Sequence, residues 1–346
     1  MKPCPLIFKP IFKPRIWGGR KIHTQFDKPL PPGENFGESW ELADLEDDQS
    51  VVASGPQQGR TLRELVVEWG DQLLGGIALF EGRFPLLIKY LDAREHLSVQ
   101  VHPDAKLAAQ LGGAVRVKNE AWVVIDAEPD GCIYRGLVDG VTPDQFSKAL
   151  SDGGVEKLLK RIPVRPGDAY YLPSGTVHAL GGGVLVAEVQ TPSDTTYRVY
   201  DWDRVDAATG KPRELHIDRA MQCINFGDQT IEGEERSHVA SVWTTITRLV
   251  TCESFIIERV RMVEGLDQDI PYKQLVVWMV LEGRATITWD KGQSRLDVGK
   301  GDTVLIPAGA NDCRLQTETD CVWLEVTVPG FAQFEQPAGP NNLQAE

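Results

Sequence analysis

Three short stretches of this 346-residue chain carry the side chains best suited to chemistry. In RPGDAYYLPSGTVHAL, Arg165 to Leu180, two turn signals bracket an aromatic run, and a single histidine, His178, follows. In SVQVHP, Gln100 and His102 stand two residues apart, which places both on one face of a strand. In VKNEAWVV, Glu120 opens an apolar run, with Lys118 two residues before it. Two imidazoles, one carboxylate and one amide oxygen would suit a borderline divalent ion such as zinc, with a position open for water or substrate oxygens. Iron, manganese or cobalt would also fit. The competing reading is packing, because a lone histidine on a strand is more often a satisfied structural residue. His23, His96, His216 and His238 are read that way.

The elements that must position these residues are mostly short strands. FPLLIKYLDA, LSVQVH, EAWVVIDA, CIYRGL, AYYLPS and VLVAEVQ are rich in β-branched and aromatic residues and are separated by Gly, Pro, Asp and Asn. TTITRLVTC, FIIERVRM, QLVVWMVLEG, ATITWD, TVLIPA and CVWLEVTV repeat that style between Thr244 and Val328. Helical spacing occurs near 61–75, with Leu62, Leu65, Val66, Trp69 and Leu73, and near 142–162, after a Thr-Pro start. The polar stretch Gly233 to Ser237 reads as a linker.

The chain also repeats itself. Gly167-Asp168 followed by Pro173-Ser174-Gly175 matches Gly301-Asp302 followed by Pro307-Ala308-Gly309 without a gap. In that register His178 falls opposite Asp312, so the second copy keeps the turn and loses the donor. Two tandem copies of one β-sandwich are the simplest explanation.

The spacing from Gly167 to His178, G-x5-P-x-G-x2-H, resembles the second signature of the cupin jelly roll, and the Gln100, His102 and Glu120 stretches resemble the first. The resemblance implies Gln100, His102, Glu120 and His178 as the metal ligands. A more specific likeness follows from WGG at Trp17, GESWEL at Gly37, SVQVHPD at Ser98, KNEAWVV at Lys118 and the long run LPSGTVHALGGGVLVAEVQTPSDTTYRVYDWDR ending at Arg204. These resemble type I phosphomannose isomerase in its short bacterial form, in order, over most of the chain.

That resemblance implies an intramolecular oxidoreductase that interconverts mannose 6-phosphate and fructose 6-phosphate through a cis-enediol, with one Zn2+ per chain. It implies Arg198 as the active-site arginine and Lys118 as a candidate for proton transfer, its pKa lowered beside a divalent cation. Glu188 is the rival base. Ser98 and Arg204 are implied for the phosphate, and Asp194 for ring opening. Trp40 and Glu41 of GESWELAD are read as packing residues near the site. Longer family members carry His-Lys-x-Glu where this chain has Val117-Lys118-Asn119-Glu120, so any histidine-assisted ring opening must use another group here.

The expected fold is therefore mainly β: two tandem cupin (jelly-roll) β-sandwich domains, 1–238 with the metal and 239–346 without it, plus a small helical insertion. A different cupin enzyme, such as an oxygenase or sugar epimerase, would be expected to show a different ligand set. A non-catalytic sugar- or metal-binding regulator would be expected to lose Arg198, Lys118 or a ligand. A net charge of −14 argues against nucleic acid or an anionic membrane as a general partner and leaves a small sugar phosphate, met by a local cationic cluster. No apolar run approaches the roughly 18 residues of a membrane span, and the proline-broken N-terminus is not a signal peptide. Six scattered cysteines without CxxC spacing read as reduced thiols of a cytoplasmic protein, a monomer or homodimer.

Overall fold

In the computed structural model, which describes residues 2–205, 210–227 and 237–330, the apolar runs pair into four antiparallel sheets. The N-terminal sandwich sets two of them face to face. The six-stranded sheet runs Ile11–Gly19, Phe36–Leu42, Leu87–Ala93, Val184–Gln190, Glu120–Ala127, Ala169–Leu172. The five-stranded sheet runs Tyr197–Tyr200, Val99–Val101, His178–Leu180, Cys132–Leu137, Leu159–Pro163. The C-terminal half repeats the plan with sheets of seven and four strands, so the chain is mainly β as expected. The strand Leu6–Ile7 does not stay with its own half. It pairs with Thr303–Ile306, tying the start of the chain to the C-terminal sheet.

The six-stranded sheet is buried on both faces, and alternate residues serve different purposes. Along Val184–Gln190, Leu185, Ala187 and Val189 enter the cluster shared with the C-terminal half, while Val184 and Val186 enter the N-terminal sandwich. Glu188 follows in the second series. A strand buried on two faces reads as a continuous apolar run, so a charge in it is conspicuous.

Two helical regions border this core. Leu62–Trp69 starts with a capping box between Thr61 and Glu64 and buries Leu62, Leu65, Val66 and Trp69. Pro143–Asp152 is capped reciprocally by Thr142 and Gln145 and buries Phe146. The helical expectation to Ile162 is too long. Gly153 and Gly154 take positive φ and end the helix, one turn of 3-10 helix follows, and Leu159–Pro163 becomes an edge strand. Of the expected linker Gly233–Ser237, all but Ser237 lies outside the described residues.

The repeated turn is a repeat in three dimensions. Gly167 and Gly301 have φ of 91° and 93°. Asp168 accepts from the amide of Arg165, and Asp302 from that of Gly299, each at 2.8 Å. The turns also share their ladder bonds, Gly167 to Val124 and Gly301 to Val280, each at 2.8 Å.

Candidate active site

At one end of the N-terminal sandwich the interior side chains turn from apolar to charged. Glu120 opens its strand opposite Gln190, and Glu188 lies between Trp122 and Lys89 on the neighbouring strands. In the facing sheet Gln100 pairs with both His178 and Arg198. His102 follows two residues after Gln100, just past the end of that strand. Sheet register thus gathers residues spread over some hundred positions.

His102, Glu120 and His178 are almost wholly buried, and their ligating atoms lie within 4.8 Å of one another. Each imidazole is oriented from behind: His178 Nδ1 bonds the carbonyl of Thr176, and His102 Nδ1 that of Thr195, both at 2.9 Å. In the neutral ring this fixes the proton on Nδ1 and leaves Nε2 with a lone pair. His178 Nε2 lies 2.7 Å from Glu120 Oε1, and His102 Nε2 lies 3.5 Å from Glu120 Oε2. Burial, reinforced by Lys118, pushes the His102 pKa down to about 3, so that ring is neutral at neutral pH. His102 Nε2 and both Glu120 oxygens also lack any well-formed hydrogen bond. Lys118 meets one side of the carboxylate, but the buried His102 lone pair facing it is left without a partner unless a cation lies between them. Gln100, whose amide lies 3.2 Å from His178 Nε2, presents its oxygen to the same point when its amide group is turned over. The donor set fits a divalent ion.

A pocket of about 450 Å³ opens beside this cluster and is lined by Ser98, Gln100, Lys118, Glu188, Asp194 and Arg198 among others. Lys118 Nζ reaches Glu120 Oε2 at 2.6 Å. Its pKa lies above the ordinary lysine value: burial opposes the charge, but Glu120, Glu188 and Asp194 outweigh it. The chain's own charges therefore act against the lowered value expected beside a cation. Burial alone would raise the Glu120 pKa, but Lys118 first, and then the two facing imidazoles, outweigh it and hold its carboxyl well below the usual range. Glu188 accepts from Trp122 Nε1 at 2.9 Å and is paired with Lys89 at 3.2 Å. Ser98 Oγ accepts from Arg198 Nε at 3.2 Å, which leaves its own proton available to a ligand. Asp194 is exposed at the rim.

Arg204 does not join them. Its guanidinium is taken up by Asp201 and by the carbonyl of His96, so its charge is spent on bracing a loop, and it does not line the pocket. Four charged lining residues were not anticipated: Arg15, Glu38, Lys89 and Arg213. A lysine within LLIKYLDA and a glutamate alternating with Trp40 carried the signal, since neither suits a buried strand. Trp40 packs under Lys89, whose ammonium lies 4.8 Å from the ring centroid, and Glu41 pairs with Lys28 away from the pocket. The other four histidines have local partners. His216, expected to be a packing residue, accepts from the amide of Arg198 and donates its own amide to the Arg198 carbonyl.

The family model for the type I phosphomannose isomerase catalytic domain matches residues 6–121. Mannose-6-phosphate isomerase ManA of Bacillus subtilis is 37% identical over 320 residues, spanning 92% of this chain and 98% of its own length. The chain belongs to the type I phosphomannose isomerase family. A second family member, the mannose-6-phosphate isomerase of Streptococcus mutans, is 34% identical over 88% of this chain and 92% of its own. The crystal structure of the Bacillus subtilis mannose 6-phosphate isomerase superposes with a TM-score of 0.84 at 33% identity, covering 94% of this chain and all of that one. An apo structure of the Salmonella typhimurium enzyme, at 15% identity and a TM-score of 0.69, shares the fold of this family.

Proposed function

We propose that this chain is a zinc-dependent mannose-6-phosphate isomerase, interconverting mannose 6-phosphate and fructose 6-phosphate through a cis-enediol. The observation that carries the reading is the convergence of His102, Glu120 and His178 at a pocket that also holds Arg198, Lys118 and Glu188. His102, Glu120, His178 and Gln100 would hold the zinc. Bound there, the ion would supply Lewis-acid polarisation of the sugar oxygens.

The remaining work belongs to the side chains. The open-chain aldose loses its C2 proton to the base while O1 takes up a proton, giving the enediol; C1 then regains a proton while the O2 hydroxyl gives up its own. A base for that transfer must present an unprotonated atom at the two carbons. Glu188, with a donor on each carboxylate oxygen, is oriented for this role, and we assign the transfer to it. Lys118 and Arg198 place positive charge where the enediolate develops its negative charge. Asp194, exposed at the rim, is placed to assist ring opening, and Ser98 to donate to a phosphate oxygen. The buried free thiols suit a reducing cytoplasm, and no helix of the described residues is long and apolar enough to cross a membrane.

The purified chain, loaded with zinc, should convert each sugar phosphate into the other and lose that activity to a chelator. No turnover of either sugar by metal-replete protein would refute the proposal.

A further inference from the structure

The charges lining the pocket do not balance locally. Arg15 is paired with Glu38, Lys89 with Glu188, and Lys118 with Glu120. Arg198 has no carboxylate partner among the described residues; its bonds go to Ser98 Oγ and the carbonyl of Glu214. Arg213 lines the pocket beside it and shares the single carboxylate of Asp201 with Arg204. Arg198, Arg204 and Arg213 have Asp201 as their one buried carboxylate, while Glu214 and Asp194 nearby are exposed to solvent, so positive charge is in excess at the buried end of the pocket. Two like charges in one partly buried pocket repel, and Arg213 is the leading charge acting on Arg198 after burial itself. A dianion would relieve both.

The fold holds Arg213 there by two devices. Asp201, only 5% exposed, accepts from Arg213 Nε at 2.8 Å and from Nη2, a two-point grip that fixes the plane of the guanidinium. The segment carrying Arg213 is in turn laid along the strand of Arg198. Glu214 gives its carbonyl to Arg198 Nη1 at 2.8 Å, and His216 bonds both backbone groups of Arg198. Asp201 itself precedes Trp202 and Asp203, two successive non-glycine residues at φ of 58° and 53°. That costly turn is held by Trp202 Nε1 donating to the Leu97 carbonyl at 2.6 Å.

We propose that Arg213, positioned by Asp201, is the second cationic arm that grips the substrate phosphate alongside Arg198, in the place the sequence alone gave to Arg204. The inference rests on the sugar-phosphate reading of the pocket. A phosphate oxygen meets Arg198 and the Ser98 hydroxyl from one side and Arg213 from the other. Arg204 acts from behind, through Asp201.

The test compares Arg213→Gln, Arg213→Lys and Asp201→Asn with the zinc-loaded wild-type chain, after circular dichroism and metal analysis of each. Two readouts apply: KM and kcat for mannose 6-phosphate, and the inhibition constant for inorganic phosphate. A charge-assisted bond of ordinary strength makes the expected rise in KM and in that constant roughly tenfold to hundredfold for Arg213→Gln, with kcat changed far less. Arg213→Lys should recover part of the loss. Asp201→Asn should raise KM in the same direction, and Asp201→Glu should restore it. Wild-type KM and phosphate inhibition in folded Arg213→Gln would overturn the inference while leaving the isomerase intact. Absence of turnover in the wild-type chain would instead overturn the isomerase reading, and undiminished phosphate affinity in Arg213→Gln would still count against Arg213.

Discussion

His178 Nε2 faces Glu120 Oε1 at 2.7 Å while the other nitrogen of the same ring bonds the Thr176 carbonyl. The backbone chooses the tautomer, and the tautomer aims a lone pair at a carboxylate. His178→Ala and His102→Ala should each abolish stoichiometric zinc, measured by elemental analysis of the purified protein. Removing zinc with a chelator should lower the melting temperature of the wild-type chain, because an ion bound only by the folded state stabilises it by mass action. The same chelator should leave the melting temperature of His178→Ala unmoved; an equal shift in both would place the metal elsewhere.

Trp122 Nε1 donates to Glu188 Oε1 while its ring stands edge-on to His178 at 5.4 Å. Glu188→Gln should reduce kcat by about a hundredfold or more if this carboxylate moves the proton. Trp122→Phe keeps most of the ring and removes only the donor, so a kcat loss of about tenfold with zinc retained is expected. Full kcat in Glu188→Gln would pass the role to Lys118, and Lys118→Met then becomes the decisive variant.

The two copies of the glycine turn should differ in tolerance. A Cβ on Gly301 would meet Phe26 Cβ at 2.9 Å and the Phe26 carbonyl at 3.0 Å, at a backbone φ of 93°. On Gly167 the nearest atom within 4 Å is the mobile end of Arg259, at 3.4 Å. Both alanines carry the positive-φ cost of about 1 kcal/mol, and Gly301→Ala adds a clash with backbone. Chemical denaturation should therefore show the larger loss for Gly301→Ala. Asp312→Ala, at an exposed turn position, should leave kcat near wild type; a drop beyond its stability loss would give the second half a catalytic part.

Asp92 couples stability to pH away from the site. Burial pushes its carboxyl up to about 6, although the amides of Lys21 and Ile22 pull the other way. The folded chain therefore holds a proton that the unfolded chain has released, so its contribution to stability is full below about pH 4 and is lost as pH rises through 6. Asp92→Asn should flatten that slope and gain about 2 kcal/mol at pH 7.5, read from denaturation curves of the two proteins across pH. Parallel curves would disprove the assignment.

Much of the molecule was legible in the chain itself. Alternating apolar runs with Gly/Pro turns required antiparallel strands. The gapless match of Gly167-Asp168 with Gly301-Asp302 foretold two turns with the same hydrogen bonds. The period of two placed Gln100 and His102 on one face, and the resemblance to the cupin signatures implied Glu120 and His178 as their partners.

What the sequence could not decide lay in contacts between distant segments. The turn at Pro173–Thr176 recurs at Pro307–Ala310 in the sequence, which does not distinguish the two copies beyond His178. In three dimensions Gly175 donates to the His102 carbonyl at 2.9 Å, Ser174 to that of Lys118 at 2.9 Å, and Thr176 orients His178. The matching turn in the second half spends its amides on Gln72 and Leu73. Arg204 and Arg213 illustrate the same limit. Both are arginines on polar stretches, and periodicity does not distinguish them. Only the buried carboxylate of Asp201, which turns one into a brace and holds the other at the pocket, separates their roles, because a charge in a protein is directed by the partner it finds in space.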